Sequence, residues 1–207
     1  MLKKCTAIST ILAAMILTVS ATATTITDLY GDKDGFGTGI QDGEFFWPWE
    51  VATEADDEGF TDRWVFGTQS WSHVYDLSGL TNITSASLTV FSGGQGLGLF
   101  VASQVYIDGS YVGDLTDGEI RFANYAHEDV FDLSAYTNLL NGSNTLEIRT
   151  FYQFDAWVLD YSEISITGTL DPQNPNNPNA PVPEPATMTL LGLGLVGLVM
   201  RKRGIRA

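Results

Sequence analysis

With two histidines and one cysteine in 207 residues, the chain can do chemistry mainly through carboxylates and aromatic rings. Asp32-Lys33-Asp34-Gly35 opens like a calcium loop, with carboxylates at alternate positions offering hard oxygen donors. An EF-hand would need an oxygen ligand at position 36 and a Glu at 43; Phe36 and Gly43 stand there, so that motif fails. Phe45-Phe46-Trp47-Pro48-Trp49 and Trp71 supply large rings. Buried, they would close one end of a core; exposed as a row (Trp47, Trp49, Trp71), they would stack on sugar rings, and burial is the expectation. His73 and His127 have no partner legible in sequence, and neither a Gly-x-Ser-x-Gly elbow nor a His-Glu-x-x-His helix is present. Nothing selects a catalytic pair from the many acids, and Asp56-Asp57-Glu58 reads as a solvated loop. The expectation is a protein that is not an enzyme.

Charge narrows the partners. The chain carries a formal −15, and between Thr24 and Pro181 only Lys33, Arg63, Arg121 and Arg149 stand against twenty-four Asp and Glu, a net of −20. Nucleic acids and anionic surfaces are bound through Lys and Arg that neutralise phosphates, so this field excludes nucleic acid as a partner.

The elements that must position these groups are strands. Ala86, Leu88 and Val90 alternate with polar residues, as do Leu146 and Ile148, and Ile164 and Ile166. Further strands are expected over 63–66, 72–75, 101–107, 111–115, 129–133 and 156–161. Asp108-Gly109 and Asn141-Gly142 are turn signals, since Gly accepts the positive φ of a tight hairpin. The apolar parity flips between Trp157, Leu159, Tyr161 and Ile164, Ile166, which predicts a β-bulge near Ser162-Glu163 or a strand that passes from one core to another. Eight or more strands without helical periodicity make the chain all-β: a two-sheet antiparallel β-sandwich of jelly-roll type over 24–170. A domain of this length can bury a full core, and with its only cysteine at position 5 it does so without disulfides.

Two stretches carry a family resemblance. Ala102 to Gly113, and Val130 to Ser134 followed by Leu139 to Arg149, resemble the strand-turn-strand segments of galactose-binding-like jelly rolls, the fold of sugar-binding modules attached to many glycosidases. The resemblance implies the fold and makes polysaccharide a candidate partner, with ligand residues on variable loops. It also implies a structural calcium between an N-terminal loop and the last strand, where Asp32, Asp34 and Asp160 lie; no other cofactor is expected.

Both termini are addresses. Lys3 and Lys4, the apolar run Ile8 to Val19 and the small residues Ala21 and Ala23 read as a signal peptide over 1–23, a substrate for signal peptidase. Prolines and asparagines over 171–181 form a stiff linker. Val182, Pro183, Glu184 and Pro185 then lead into an apolar segment over 186–200, closed by Arg201, Lys202 and Arg203, a stop-transfer pattern. That segment is short for a spanning helix, as suits an anchor meant to be removed. The order over 182–207 resembles the PEP-CTERM sorting signal. It implies a transient transmembrane helix in the inner membrane, cleavage by an exosortase, and delivery to the cell surface or extracellular matrix. The whole is expected to be an exported protein with a structural or interaction module; a carbohydrate-binding module is the alternative and a hydrolase a distant third.

Overall fold

The structure, a computed structural model, describes residues 23–54, 58–95, 102–117, 119–120 and 123–170. The signal segment up to position 22, Asp56 and Asp57, the linker and the sorting segment with its helix at 186–200 lie outside the described residues. No helix among the described residues is long and apolar enough to cross a membrane.

Eleven strands are described: β1 (Ala23–Gly31), β2 (Phe45–Phe46), β3 (Val65–Phe66), β4 (Gln69–Val74), β5 (Leu80–Gly93), β6 (Gln104–Ile107), β7 (Ser110–Asp114), β8 (Glu119–Ile120), β9 (Ala123–Asp132), β10 (Ser143–Arg149) and β11 (Ala156–Leu170). The larger sheet runs β1-β11-β5-β9-β2, with β3 on β11 and β8 on β9; the smaller runs β4-β10-β6-β7. Every pairing is antiparallel. Leaving aside the two-residue strands, one sheet takes the first, eighth, third and sixth strands and the other takes the second, seventh, fourth and fifth. That order is a jelly roll.

Alternation explains the core between the sheets. Leu88 and Val90 on β5, Leu146 and Ile148 on β10, and Ile164 and Ile166 on β11 all point into it, with Trp157 and Leu159. Each such side chain fully buried contributes about 1.5–3 kcal/mol. Asp108 and Gly109 both adopt positive φ in the β6–β7 hairpin, and Gly142 does so ahead of β10. Asn144, at the start of β10, is buried and ties three segments together through the Tyr75 hydroxyl, Asp108 and the Leu139 carbonyl.

The parity flip in the last strand is real but lies earlier than expected. Leu159 pairs with Ser92 and Tyr161 with Phe91, so Asp160 is the extra residue of a β-bulge. Before it, Trp157 and Leu159 face the sandwich core; after it, Ser162, Ile164 and Ile166 do. Tyr161 therefore turns to the outer face, where it joins Phe36, Phe46, Phe91, Ala126 and Val158 in a second apolar cluster. The segment between β1 and β4 folds over that face and supplies Phe36 and Phe46. β1 itself, alternating at Ile26, Asp28 and Tyr30, went unread in the sequence because its inward positions mix apolar and acidic groups.

The ends of the sandwich differ. Strands β5, β7 and β10 finish and β6, β9 and β11 begin at one end, whereas β1 begins and β11 finishes, at Leu170, at the other.

Candidate metal centre and exposed aromatic surface

The bulge places Asp160 beside the turn that follows β1. Gly31, at φ +90°, lets the backbones meet: a Cβ there would lie 2.0 Å from the Asp160 carbonyl oxygen. Asp160 Oδ1 accepts from the amides of Gly35 (3.0 Å) and Phe36 (2.8 Å), while Asp34 Oδ1 accepts from Gly37 (2.6 Å). Asp62 arrives from the other side of the excursion, its amide donating to the Leu159 carbonyl at 2.8 Å. The result is one carboxylate oxygen from each of Asp32, Asp34, Asp62 and Asp160 within 4.8 Å of the others.

Sequence reading found three of these residues and missed Asp62, whose only signal is its place ahead of Arg63-Trp64 in an unremarkable loop. Asp62 and Asp160 are buried. Burial, reinforced by Asp34 and Asp32, pushes the Asp160 carboxyl up to about 7 against the pull of the Phe36 amide. The neighbouring cations point elsewhere: Lys33 donates to Glu163 at 2.8 Å and covers the Tyr161 ring, and Arg63 bonds the Gly59 carbonyl. Lys33, Phe36 and Asp62 all hold positive φ around the cluster, a strain that the surrounding contacts must sustain. Four hard oxygens with separations up to 4.8 Å suit calcium, whose ligands lie about 2.3–2.6 Å from the ion, so opposed donors are about 5 Å apart. They suit zinc less, since its structural sites are tetrahedral and built from Cys sulfur and His nitrogen. A cavity of about 230 Å³ lined by Lys33, Gln41, Asp42, Glu128, Asp160 and Tyr161 adjoins the cluster.

The aromatic cluster divides. Phe46 is buried in the outer layer, but Phe45, Trp47 and Trp49 are 40%, 48% and 74% exposed, so burial fails for these three. Trp47 and Trp49 stack 4.9 Å apart at 5° to each other, and Phe45 packs edge-on against Trp47. A single turn at Pro48–Glu50 fixes them, with Glu50 accepting from the Trp47 amide (2.6 Å) and Trp64 donating to the Pro48 carbonyl (3.0 Å). Trp71 is not part of this surface. It lies in the core, stacked on Tyr30, because its position on β4 faces inward.

Trp71 belongs to a network that sequence could not reveal, since its members lie on three distant strands. His73 Nδ1 is 2.7 Å from Asp28 Oδ2, His73 Nε2 is 2.6 Å from Ser162 Oγ, and Trp71 Nε1 donates to the same Oγ at 2.7 Å. The distances match those of a Ser-His-Asp triad. The setting does not: His73 and Ser162 are both fully buried, and the indole occupies the serine oxygen. Burial holds the imidazole below its usual range although Asp28 opposes it. Asp28 also accepts from the Val74 amide at 3.2 Å, so the network fastens the edge of one sheet to the other. His127 stands apart, 3.9 Å from Asp42 at the surface.

Residues 181–203 match the PEP-CTERM protein-sorting motif. The chain thus carries an export and sorting signal that implies membrane anchoring and processing by an exosortase. The match contains Val182, Pro183, Glu184, Pro185, Arg201, Lys202 and Arg203. No curated protein matches the chain. Among solved structures, wild-type BuGH86 in complex with neoagarooctaose is similar at 12% identity over 70% of this chain and 18% of that chain, with a TM-score of 0.36. A variant of that protein with the same ligand is similar at 11% identity, with the same coverage and TM-score. The chain spans less than a fifth of those structures, and a similarity of this degree carries no functional argument.

Proposed function

We propose that this is an exported, non-enzymatic surface module. Signal peptidase removes the first 23 residues after Ala21-Thr22-Ala23, an exosortase processes the tail at Pro183-Glu184-Pro185, and the released sandwich works at the cell surface or in the extracellular matrix as an interaction or structural element. The observation that carries the interaction reading is the exposed Phe45, Trp47 and Trp49 group, held rigid outside both cores. Exposed apolar patches of this kind mark interaction sites. Full burial of Ser162 and His73 supports the non-enzymatic part. Calcium held by Asp32, Asp34, Asp62 and Asp160 would fasten the excursion that presents the rings.

Polysaccharide binding is the second reading, favoured by the parallel Trp47 and Trp49 rings in a domain without a basic surface. A glycan array probed with the exported protein, with and without calcium, separates the two. Glycan binding abolished by Trp47→Ala with Trp49→Ala selects the second; retention on the producing cells' matrix with no glycan signal selects the first. Measurable turnover that disappears on replacing one carboxylate would refute both. Mass spectrometry of the mature protein should find a C-terminus near positions 183–185, and an intact end at Ala207 would refute the processing step.

A further inference from the structure

A second set of exposed rings lies on the β10–β11 loop. Phe151 and Phe154 are 68% and 67% exposed. They are held by each other's neighbours: Phe151 packs edge-on against Tyr152 at 4.7 Å, and Tyr152 stacks on Phe154 at 5.3 Å. Thr150 Oγ1 donates to the Tyr152 carbonyl at 3.0 Å, and the Asp155 amide reaches the same oxygen at 3.1 Å, which closes the loop. Rings fixed in this way stay exposed and do not collapse onto the core.

Beside Phe151 lies a cleft of about 460 Å³ lined by Ala102, Gln104, Arg149, Thr150 and Phe151, within the roughly 300–1,000 Å³ usual for small-ligand sites. Its polar groups are pre-set. The Arg149 guanidinium lies 3.8 Å over the Tyr106 ring and donates from Nη2 to Glu147 at 2.7 Å, leaving further N–H donors of the same rigid fork. The Tyr106 hydroxyl donates to Gln104 Oε1 at 3.0 Å, which leaves the Gln104 amide as a donor. Since Thr150 gives its hydroxyl hydrogen to Tyr152, its oxygen can only accept. An aromatic face bordered by fixed donors and an acceptor is the recognition chemistry of a sugar ring, with C–H faces on the plate and hydroxyls at the rim.

Electrostatics choose the sugar. Glu147 cancels the charge of Arg149, Asp114 sits opposite Gln104 in the β6–β7 pairing, and the whole chain is at −15, so an anionic polymer is repelled. The cleft also lies at the end of the sandwich away from Leu170, from which the sorting tail continues. β11 spans 15 residues, about 50 Å at the usual rise of roughly 3.3 Å per residue.

We propose that the cleft between Gln104, Arg149, Thr150 and Phe151 is a binding site for a neutral polysaccharide chain, separate from the Trp47 and Trp49 surface. It rests on the interaction reading only in needing the domain to meet external polymers. Affinity electrophoresis of the exported protein through gels containing soluble neutral β-glucan, dextran or, as the anionic arm, hyaluronan tests it. Retardation is expected in at least one neutral gel, with apparent affinity at least tenfold lower in Phe151→Ala and in Arg149→Ala and unchanged in Val130→Ala, an exposed change on the other sheet. Far-ultraviolet circular dichroism identifies any variant that fails to fold, and the exposed Phe151→Ala change then carries the test. Retardation abolished by Trp47→Ala with Trp49→Ala but kept in Phe151→Ala would overturn the cleft and leave the aromatic surface standing. Absence of retardation in both neutral gels, or retardation by hyaluronan alone, would also overturn it.

Discussion

Calcium addition to wild-type and Asp160→Asn protein is the sharpest test of the metal centre. At the 4.8 Å limit of the cluster, each pair of like charges repels by about 3.5 kcal/mol at an effective dielectric of roughly 20. Burial, with Asp34 and Asp32 alongside, pushes the Asp160 carboxyl up to about 7. A calcium ion turns that repulsion into attraction. At a hundredfold excess over Kd it stabilises the folded state by about 2.7 kcal/mol. For a domain of this length each kcal/mol moves the midpoint by roughly 2–4 °C, so thermal melts in calcium should lie about 5–10 °C above melts in EDTA. Asp160→Asn keeps an oxygen for the Gly35 and Phe36 amides but removes one charge. It should therefore melt at or above wild type in EDTA and gain little from calcium. Identical wild-type melts in calcium and EDTA, or a variant with the full wild-type gain, would refute the assignment.

Other expectations are equally direct. His73 is held neutral, so its folded pKa lies below the unfolded value of about 6.5. Its contribution to stability is present above that pH and lost as pH falls through the folded value; because Asp160, raised to about 7, titrates with the opposite sign, chemical denaturation in the Asp160→Asn background should show stability falling from pH 7.5 to 5.5, with a shallower slope when His73→Gln is added. Ser162→Ala leaves the Trp71 indole N–H without its partner and should cost about 1–3 kcal/mol in the same assay. Gly31→Ala forces a Cβ against the Asp160 carbonyl at positive φ and should lose at least about 2 kcal/mol together with calcium response. Trp49→Ala, at an exposed position, should shift stability by less than about 0.5 kcal/mol.

What could be read in advance follows from which features are local. Strand alternation at Ala86–Val90, Leu146–Ile148 and Ile164–Ile166, with the Asp108-Gly109 turn, is written in adjacent residues, and it sufficed for the sandwich. The PEP-CTERM segment is likewise contiguous. The bulge shows in the sequence as a broken parity two residues after its true position, because Tyr161 is apolar whether it faces the sandwich core or the outer cluster. Trp47 and Trp49 show the opposite failure: ring size argues for burial, and only the turn at Pro48–Glu50 shows that these two cannot reach the core.

Asp160 illustrates why the site was harder to read than the fold. In an unbroken strand Tyr161 would follow Leu159 into the sandwich core by simple alternation, and the outer cluster would lose its ring. The extra residue breaks the ladder, turns Tyr161 outward to seed the second cluster, and aims Asp160 at the Gly35 and Phe36 amides. That cluster in turn anchors the excursion that delivers Asp62 to the acids and Trp47 and Trp49 to the surface. Metal centre and aromatic surface are thus coupled through one bulge: loss of calcium should loosen the excursion and weaken any binding that depends on Trp47, while leaving the β10–β11 loop unaffected. Hydrogen exchange in EDTA should accordingly rise over 32–54 and not over 149–155, and a uniform rise across the domain would show that no such coupling exists.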